Sequence, residues 1–202
     1  PSQTNTRPLT ISINGQETEQ DKNMEALHIL TDDGHMLAGR CFRPHGGVNV
    51  RRAVIIACAL GVPQTFYERY ASWLVQQGCV VYTFDWRGMA QSAPPSLVGY
   101  KAKLVDWARH DAPAVMELVA QRHPGLPITW FGHSMGGQIT PRLIGKVADR
   151  IHAAVISATI GYFGNRTKEE QEEFVRKRTT PPPPGTDPIV AQRMVVDSML
   201  GP

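Results

Sequence analysis

The stretch "FGHSMGGQIT", residues 131–140, decides how the rest of the chain is read. It lies between the apolar run "PITW" (127–130) and the helically spaced "ITPRLIGKV" (139–147). Within it, Gly132-His133-Ser134-Met135-Gly136 fits the pattern G-x-S-x-G, with a strand expected before and a helix after. The two glycines let a strand turn sharply into a helix, because the serine between them must take a strained backbone conformation while other backbone passes close by. Such a turn holds Oγ of Ser134 at its tip. The amide of Met135, at the helix N-terminus, can donate to a developing oxyanion. A Gly-Ser turn with a purely structural role is the competing reading, and the order of the surrounding elements decides between the two.

Upstream, "EALHIL" (25–30), "TDDG" (31–34) and "HMLAGRCFRP" (35–44) form two alternating runs split by an Asp-Gly turn, the pattern of a hairpin. The period then changes. "RAVIIACA" (52–59) and "CVVYTFDWRG" (79–88) are continuous apolar runs, as expected of strands buried on both faces. Between them, Phe66, Tyr70, Trp73 and Leu74 give a helix an apolar side, closed by Gly78. Leu104, Trp107, Asp111, Val115, Leu118 and Val119 mark a longer helix, with a kink or restart expected near Asp111 because Pro113 interrupts it. "PITWFGHS" is then the fifth strand, 136–147 a helix and "IHAAVISAT" (151–159) a sixth strand. The expected fold is a three-layer α/β/α sandwich whose sheet is mostly parallel after an opening antiparallel hairpin. In such a sheet ligands bind beyond the carboxyl ends of the strands, which is where Ser134 falls.

Composition narrows the classes of function. With 202 residues, 42% hydrophobic and 19% charged, the chain has the make-up of a globular protein with one sizeable core. A net charge of +3, spread along the sequence, gives no reason to invoke nucleic acid. The longest apolar run, "AVIIACALGV" (53–62), is too short to span a bilayer, so no stable membrane insertion is expected. Cys41, Cys58 and Cys79 sit in strand-like settings and read as buried small hydrophobes, consistent with a reducing, cytoplasmic location. No metal cluster, phosphate-binding glycine loop or dinucleotide fingerprint is present, so neither metal nor cofactor is expected. Oligomeric state is not legible.

A second oxyanion donor is expected from the loop after the third strand, "ACALGVPQTFY" (57–67). The Leu60 amide, or that of Gly61, is the candidate; the alternative is that Gly61-Val62-Pro63 is only a turn before the helix.

On these residues the chain resembles the α/β-hydrolase superfamily, within it the serine-aminopeptidase-like or lysophospholipase-like branch. "DDGHMLAGRCFRP" (32–44), "ALGVPQTFYERYASWL" (59–74), "GCVVYTFDWRGMAQS" (78–92) and "GHSMGGQ" (132–138) carry the resemblance in family order, over roughly residues 25–165. "DWRGMAQS" is similar to the family's D-x-R-G-x-G-x-S turn, with Ala90 where glycine is usual, and Asp85 and Arg87 are read as a structural pair fixing that turn. His133 is expected to pack under the elbow rather than serve as base. The resemblance implies acyl transfer on a small-molecule acyl substrate by a triad in chain order serine, acid, histidine. No histidine follows His152, which opens the sixth strand at the end of the sheet remote from Ser134.

The domain reading is therefore a polar arm with a brief strand-like alternation (1–23), an α/β-hydrolase core without its last strands (24–163) and a partial helical lid (164–202). In the lid, Thr167 caps a charge-balanced helix, "TPPPPG" (180–185) is a stiff spacer, and Val190, Met194, Val195 and Met199 give a further helix an apolar stripe. Three accounts remain open: the N-terminal two-thirds of a serine hydrolase whose acid and histidine lie outside this chain, a binding module without a triad, or an inactive structural fragment.

Overall fold

The computed structural model describes residues 23–46, 48–159, 167–179, 183–187 and 190. Residues 1–22 of the expected arm (1–23) and most of the second lid helix lie outside the described residues. The chain divides into two units, residues 1–159 and 160–202.

In the first unit, strands β1 (Met24–Leu30) and β2 (Met36–Phe42) form the hairpin, in antiparallel register from Met24 opposite Phe42 to Leu30 opposite Met36. Leu27 and Ile29 are buried while Ala26, His28 and Leu30 between and beside them are exposed, so the period-two alternation is that of a strand covered on one face. The apolar runs become β3 (Arg52–Ala57) and β4 (Cys79–Phe84), and every residue of β4 is buried, as in a strand covered on both faces. β5 (Ile128–His133) and β6 (Ala153–Ser157) complete a six-stranded sheet of order β1-β2-β4-β3-β5-β6. From β4 to β6 all pairings are parallel.

That order fixes the layers. The connection from β3 to β4 steps one way along the sheet, whereas those from β4 to β5 and β5 to β6 step the other way; right-handed crossovers then put their helices on opposite faces. Accordingly helix α1 (Glu68–Gln76), entered through a 3-10 turn at Gln64–Tyr67, packs against β4. The short α2 (Leu104–Asp106) leads through a π-helical turn, Trp107–Asp111, into α3 (Ala112–Arg122), which packs with α4 (Met135–Val147) on the other side. The restart expected near Asp111 is thus a widened turn, in which Ala112 N–H reaches back to Trp107 O, and Pro113 follows directly in the first turn of α3.

The facing of α1 differs from the expected one. Phe66, Tyr70 and Trp73 are 69%, 38% and 52% exposed, while Tyr67 and Ala71 are buried. Ala71, with no side chain beyond Cβ, lets the helix approach the sheet closely, and Tyr70 instead stacks on Trp73 at 5.9 Å and leans on Phe131. The three cysteines are free thiols and buried, as read from the sequence.

In the second unit, α5 (Lys168–Thr179) begins with a reciprocal cap: Glu170 N–H donates to Thr167 Oγ1 and Thr167 N–H to a Glu170 carboxylate oxygen. No described helix is long and apolar enough to cross a membrane.

Candidate active site

Ser134 stands between β5 and α4 with φ 51° and ψ −112°, a left-handed conformation that a non-glycine residue holds only when its surroundings impose it. Here they do. Its amide donates to Ser157 O at the end of β6 (2.9 Å), and its carbonyl accepts from Gln138 N (3.1 Å) and from the Thr159 hydroxyl. Serine is among the preferred N-cap residues, and Ser134 occupies the N-cap of α4, yet its side chain makes no capping hydrogen bond. Oγ has no hydrogen-bond partner among the described residues, so it is uncommitted to structure.

The glycines are required by close approach. A Cβ on Gly136 would lie 2.3 Å from Ala57 O, and one on Gly132 would lie 2.6 Å from Thr140 Oγ1 and 2.7 Å from Gly136 O. The start of α4 is therefore pressed against the end of β3. Under the elbow, the Thr140 hydroxyl accepts from Trp130 Nε1 and donates to Gly136 O, a buried peg that only a glycine at 132 admits.

The loop leaving β3 runs beside this elbow, because Ala57 and Gly132 are register partners at the strand ends. Ala59–Val62 is a tight turn closed by Val62 N–H donating to Ala59 O, with Gly61 at φ 76°. The amides of Leu60, Gly61 and Met135 donate to no acceptor among the described residues. The loop itself is held firmly: Trp86 Nε1 donates to Cys58 O (2.8 Å), Gln64 N–H to Asp85 Oδ1 (2.8 Å) and Ala59 N–H to the Tyr67 hydroxyl (2.9 Å).

Asp85 and Arg87 are not paired with each other, which corrects the sequence reading. Asp85 accepts from the backbone and side chain of Gln64 and from Gln91 N, bracing the loop after β3. Arg87 crosses instead to buried Asp111 (Nε to Oδ1, 2.7 Å) and forks onto Asp33 at 2.6 and 2.9 Å. Each fixes the turn after β4, through a different partner.

The histidines are engaged elsewhere. His133 Nδ1 is 2.8 Å from the Tyr67 hydroxyl, under the elbow as expected. His35, His45, His110 and His123 bond Ser92 O, Asn23, Asp32 and Tyr82 respectively. His28 is exposed on β1, and His152 donates its amide to Ile128 O at the opposite end of β5 from Ser134. None hydrogen-bonds Ser134. Asp32, Asp33 and His110 bring three potential ligand atoms within 4.8 Å of one another, but Arg87 occupies Asp33 and Asp32 occupies His110.

The family model for "Serine aminopeptidase, S33" matches residues 48–179, well over half of the chain and including both the loop after β3 and the elbow. The chain belongs to this family of α/β hydrolases. Among curated relatives, human monoglyceride lipase is 27% identical over 114 residues, covering 55% of this chain and 35% of that protein. The fold is shared with a thermostable carboxyl esterase of Bacillus coagulans (TM-score 0.63, 18% identity, 89% of this chain and 66% of that one). It is shared too with an esterase of Pyrococcus furiosus (TM-score 0.61, 20% identity, 80% and 63%). This member of the family thus spans less than two thirds of the length of several such relatives.

Sequence reasoning missed Tyr67, whose hydroxyl touches both the loop and the elbow. The signal was the spacing in "GVPQTFYERY": a tyrosine six residues after Gly61 reaches back to the loop only if the 3-10 turn intervenes, which periodicity alone does not reveal.

Proposed function

We propose that this protein carries the nucleophile and oxyanion site of a serine hydrolase acting on a carboxylic ester or related acyl substrate. The observation that carries this is the left-handed Ser134 at the carboxyl end of β5, its Oγ uncommitted among the described residues, on a turn that packs against the end of β3 where the Leu60–Gly61 loop begins. In the reaction, Ser134 Oγ attacks the acyl carbon and the amides of Met135 and Leu60, or Gly61, receive the oxyanion. Water then releases the acyl group. The ester class is supported by the relatives that are a monoglyceride lipase and carboxyl esterases. The acid and the general-base histidine come from outside residues 1–202, since no histidine here pairs with Ser134. Three free buried thiols support a reducing, cytoplasmic setting.

Loss of one triad member costs on the order of 10⁴–10⁶ in kcat. Residues 1–202 alone are therefore expected to hydrolyse p-nitrophenyl butyrate feebly, and Ser134→Ala in the base-less chain should change that slow rate little, because triad members act as a unit. Failure of a fluorophosphonate to label Ser134 would refute it as nucleophile. Fast Ser134-dependent turnover would refute an external base. The unpaired serine also favours a second reading, a domain that binds acyl ligands without cleaving them; saturable ligand binding with no acylation under any condition would select it.

A further inference from the structure

Tyr67 is 5% exposed at the end of the 3-10 turn that precedes α1. Its hydroxyl has two neighbours. Ala59 N–H donates to it at 2.9 Å, and His133 Nδ1 lies 2.8 Å away. Ala59 is the residue before Leu60 and His133 the residue before Ser134, so one oxygen touches the chain immediately upstream of a candidate oxyanion donor and of the candidate nucleophile. An amide can only donate, so the phenol oxygen accepts from Ala59, while its hydrogen bond with His133 Nδ1 runs in the direction set by the imidazole tautomer. Burial pushes the Tyr67 phenol up to about 12, so the hydroxyl keeps its proton throughout the neutral range.

We infer that Tyr67 is a positioning residue: its hydroxyl, bridging Ala59 N–H and His133 Nδ1, sets the distance between the Leu60–Gly61 turn and Ser134 Oγ. The inference rests on the reading of Ser134 as nucleophile and of that turn as oxyanion donor. Its physical basis is that an oxyanion hole made from two separate segments works only if they keep one spacing. Loss of a single donor in such a site costs on the order of 10²–10³ in rate, so a donor displaced rather than deleted should cost less, about tenfold or more. The rest of the loop is tied to β4 and its following turn, through Trp86 and Asp85; besides the packing of Gly136 on Ala57, the Tyr67 bridge runs to the elbow.

The test uses the 202-residue chain, Tyr67→Phe, His133→Ala, the double variant, and Phe66→Ala as a control. Phe66 is 69% exposed and meets Tyr67 only edge-on. Two quantities are read: hydrogen exchange of the Ala59 amide by NMR, and the second-order rate of Ser134 phosphonylation by a fluorophosphonate. In Tyr67→Phe, whose ring preserves packing, Ala59 exchange should rise about tenfold or more, because a buried amide has lost its acceptor. Phosphonylation should fall about tenfold or more, and the double variant should be no slower than Tyr67→Phe, because both changes break one bridge. Phe66→Ala should match the parent in both. Unchanged Ala59 exchange in Tyr67→Phe, or phosphonylation within twofold of the parent, overturns the inference, as do fully additive effects. If Ser134 takes no label in the parent, the nucleophile reading has failed, and Ala59 exchange with its dependence on His133 alone decides whether the bridge exists. A general loss of fold is separated by measuring the urea midpoint of each variant; where Tyr67→Phe shifts it, His133→Ala supplies the same test from the other side of the bridge.

Discussion

The sharpest structural prediction compares two glycines of one helix. A methyl group added at Gly136 would sit 2.3 Å from Ala57 O, 2.9 Å from Ala57 C and 3.0 Å from Cys58 O. All three are backbone atoms at the end of a central strand, so no side chain can swing away and either β3 or α4 must move. Overpacking of this kind costs ~1–3 kcal/mol, and more where backbone must shift. For a chain of this size that lowers Tm by about 2–4 °C per kcal/mol, hence about 2–12 °C. Gly145 lies in the same helix, α4, with nothing within 4 Å of the position its Cβ would take. Gly145→Ala should therefore gain the helix-propensity difference, about 0.5–1 kcal/mol, and raise Tm slightly. Scanning calorimetry on both variants reads the two signs directly. Gly136→Ala should also lose Ser134 labelling, since the displaced segment carries Met135. If both variants shift Tm in the same direction, the claim that the elbow's glycine is dictated by contact with β3 is wrong.

Other outcomes follow from the turn after β4. Asp111→Ala should cost about 1–3 kcal/mol, because Arg87 N–H and Nε lose their buried acceptor while Asp33 still pairs the guanidinium, and urea denaturation should show it as a lower midpoint. Ala90, held at φ 40°, should accept Ala90→Gly with a gain of ~0.5–1 kcal/mol; an unchanged or lower midpoint would count against strain there. The Arg87 hydrogen bond holds the Asp33 carboxyl well below the ordinary carboxylate range. Since the folded pKa lies below the unfolded value of about 3.9, this contribution is fully present above about pH 4 and is lost as the pH falls further. Asp33→Asn should therefore flatten the acid limb of a stability–pH curve while lowering stability at pH 7.

Much of the fold was legible because it rests on local patterning. β3 and β4 are apolar runs between polar bounds, and G-x-S-x-G needs only its neighbours to be recognised. What escaped depends on tertiary geometry. The aromatic side of α1 was expected inside because large rings are the usual core, but Ala71 and Tyr67 face the sheet and Trp73 stays half exposed. Asp85 and Arg87 stand two apart and look like a pair, yet Arg87 finds its partner 24 residues on, at a π-helical turn that sequence does not announce. Tyr67 was invisible for the same reason: its role exists only when the loop after β3 and the elbow after β5 come together.

The central claim is that the Ser134 hydroxyl is a nucleophile whose base and acid lie outside residues 1–202. The measurement that tests it most directly is peptide mapping of the 202-residue chain after fluorophosphonate treatment, with and without added imidazole as a substitute base. The account predicts one adduct, on Ser134, forming slowly, accelerated by imidazole and absent from Ser134→Ala. A parent protein that takes no label even with imidazole, or takes it on a residue other than Ser134, would contradict it.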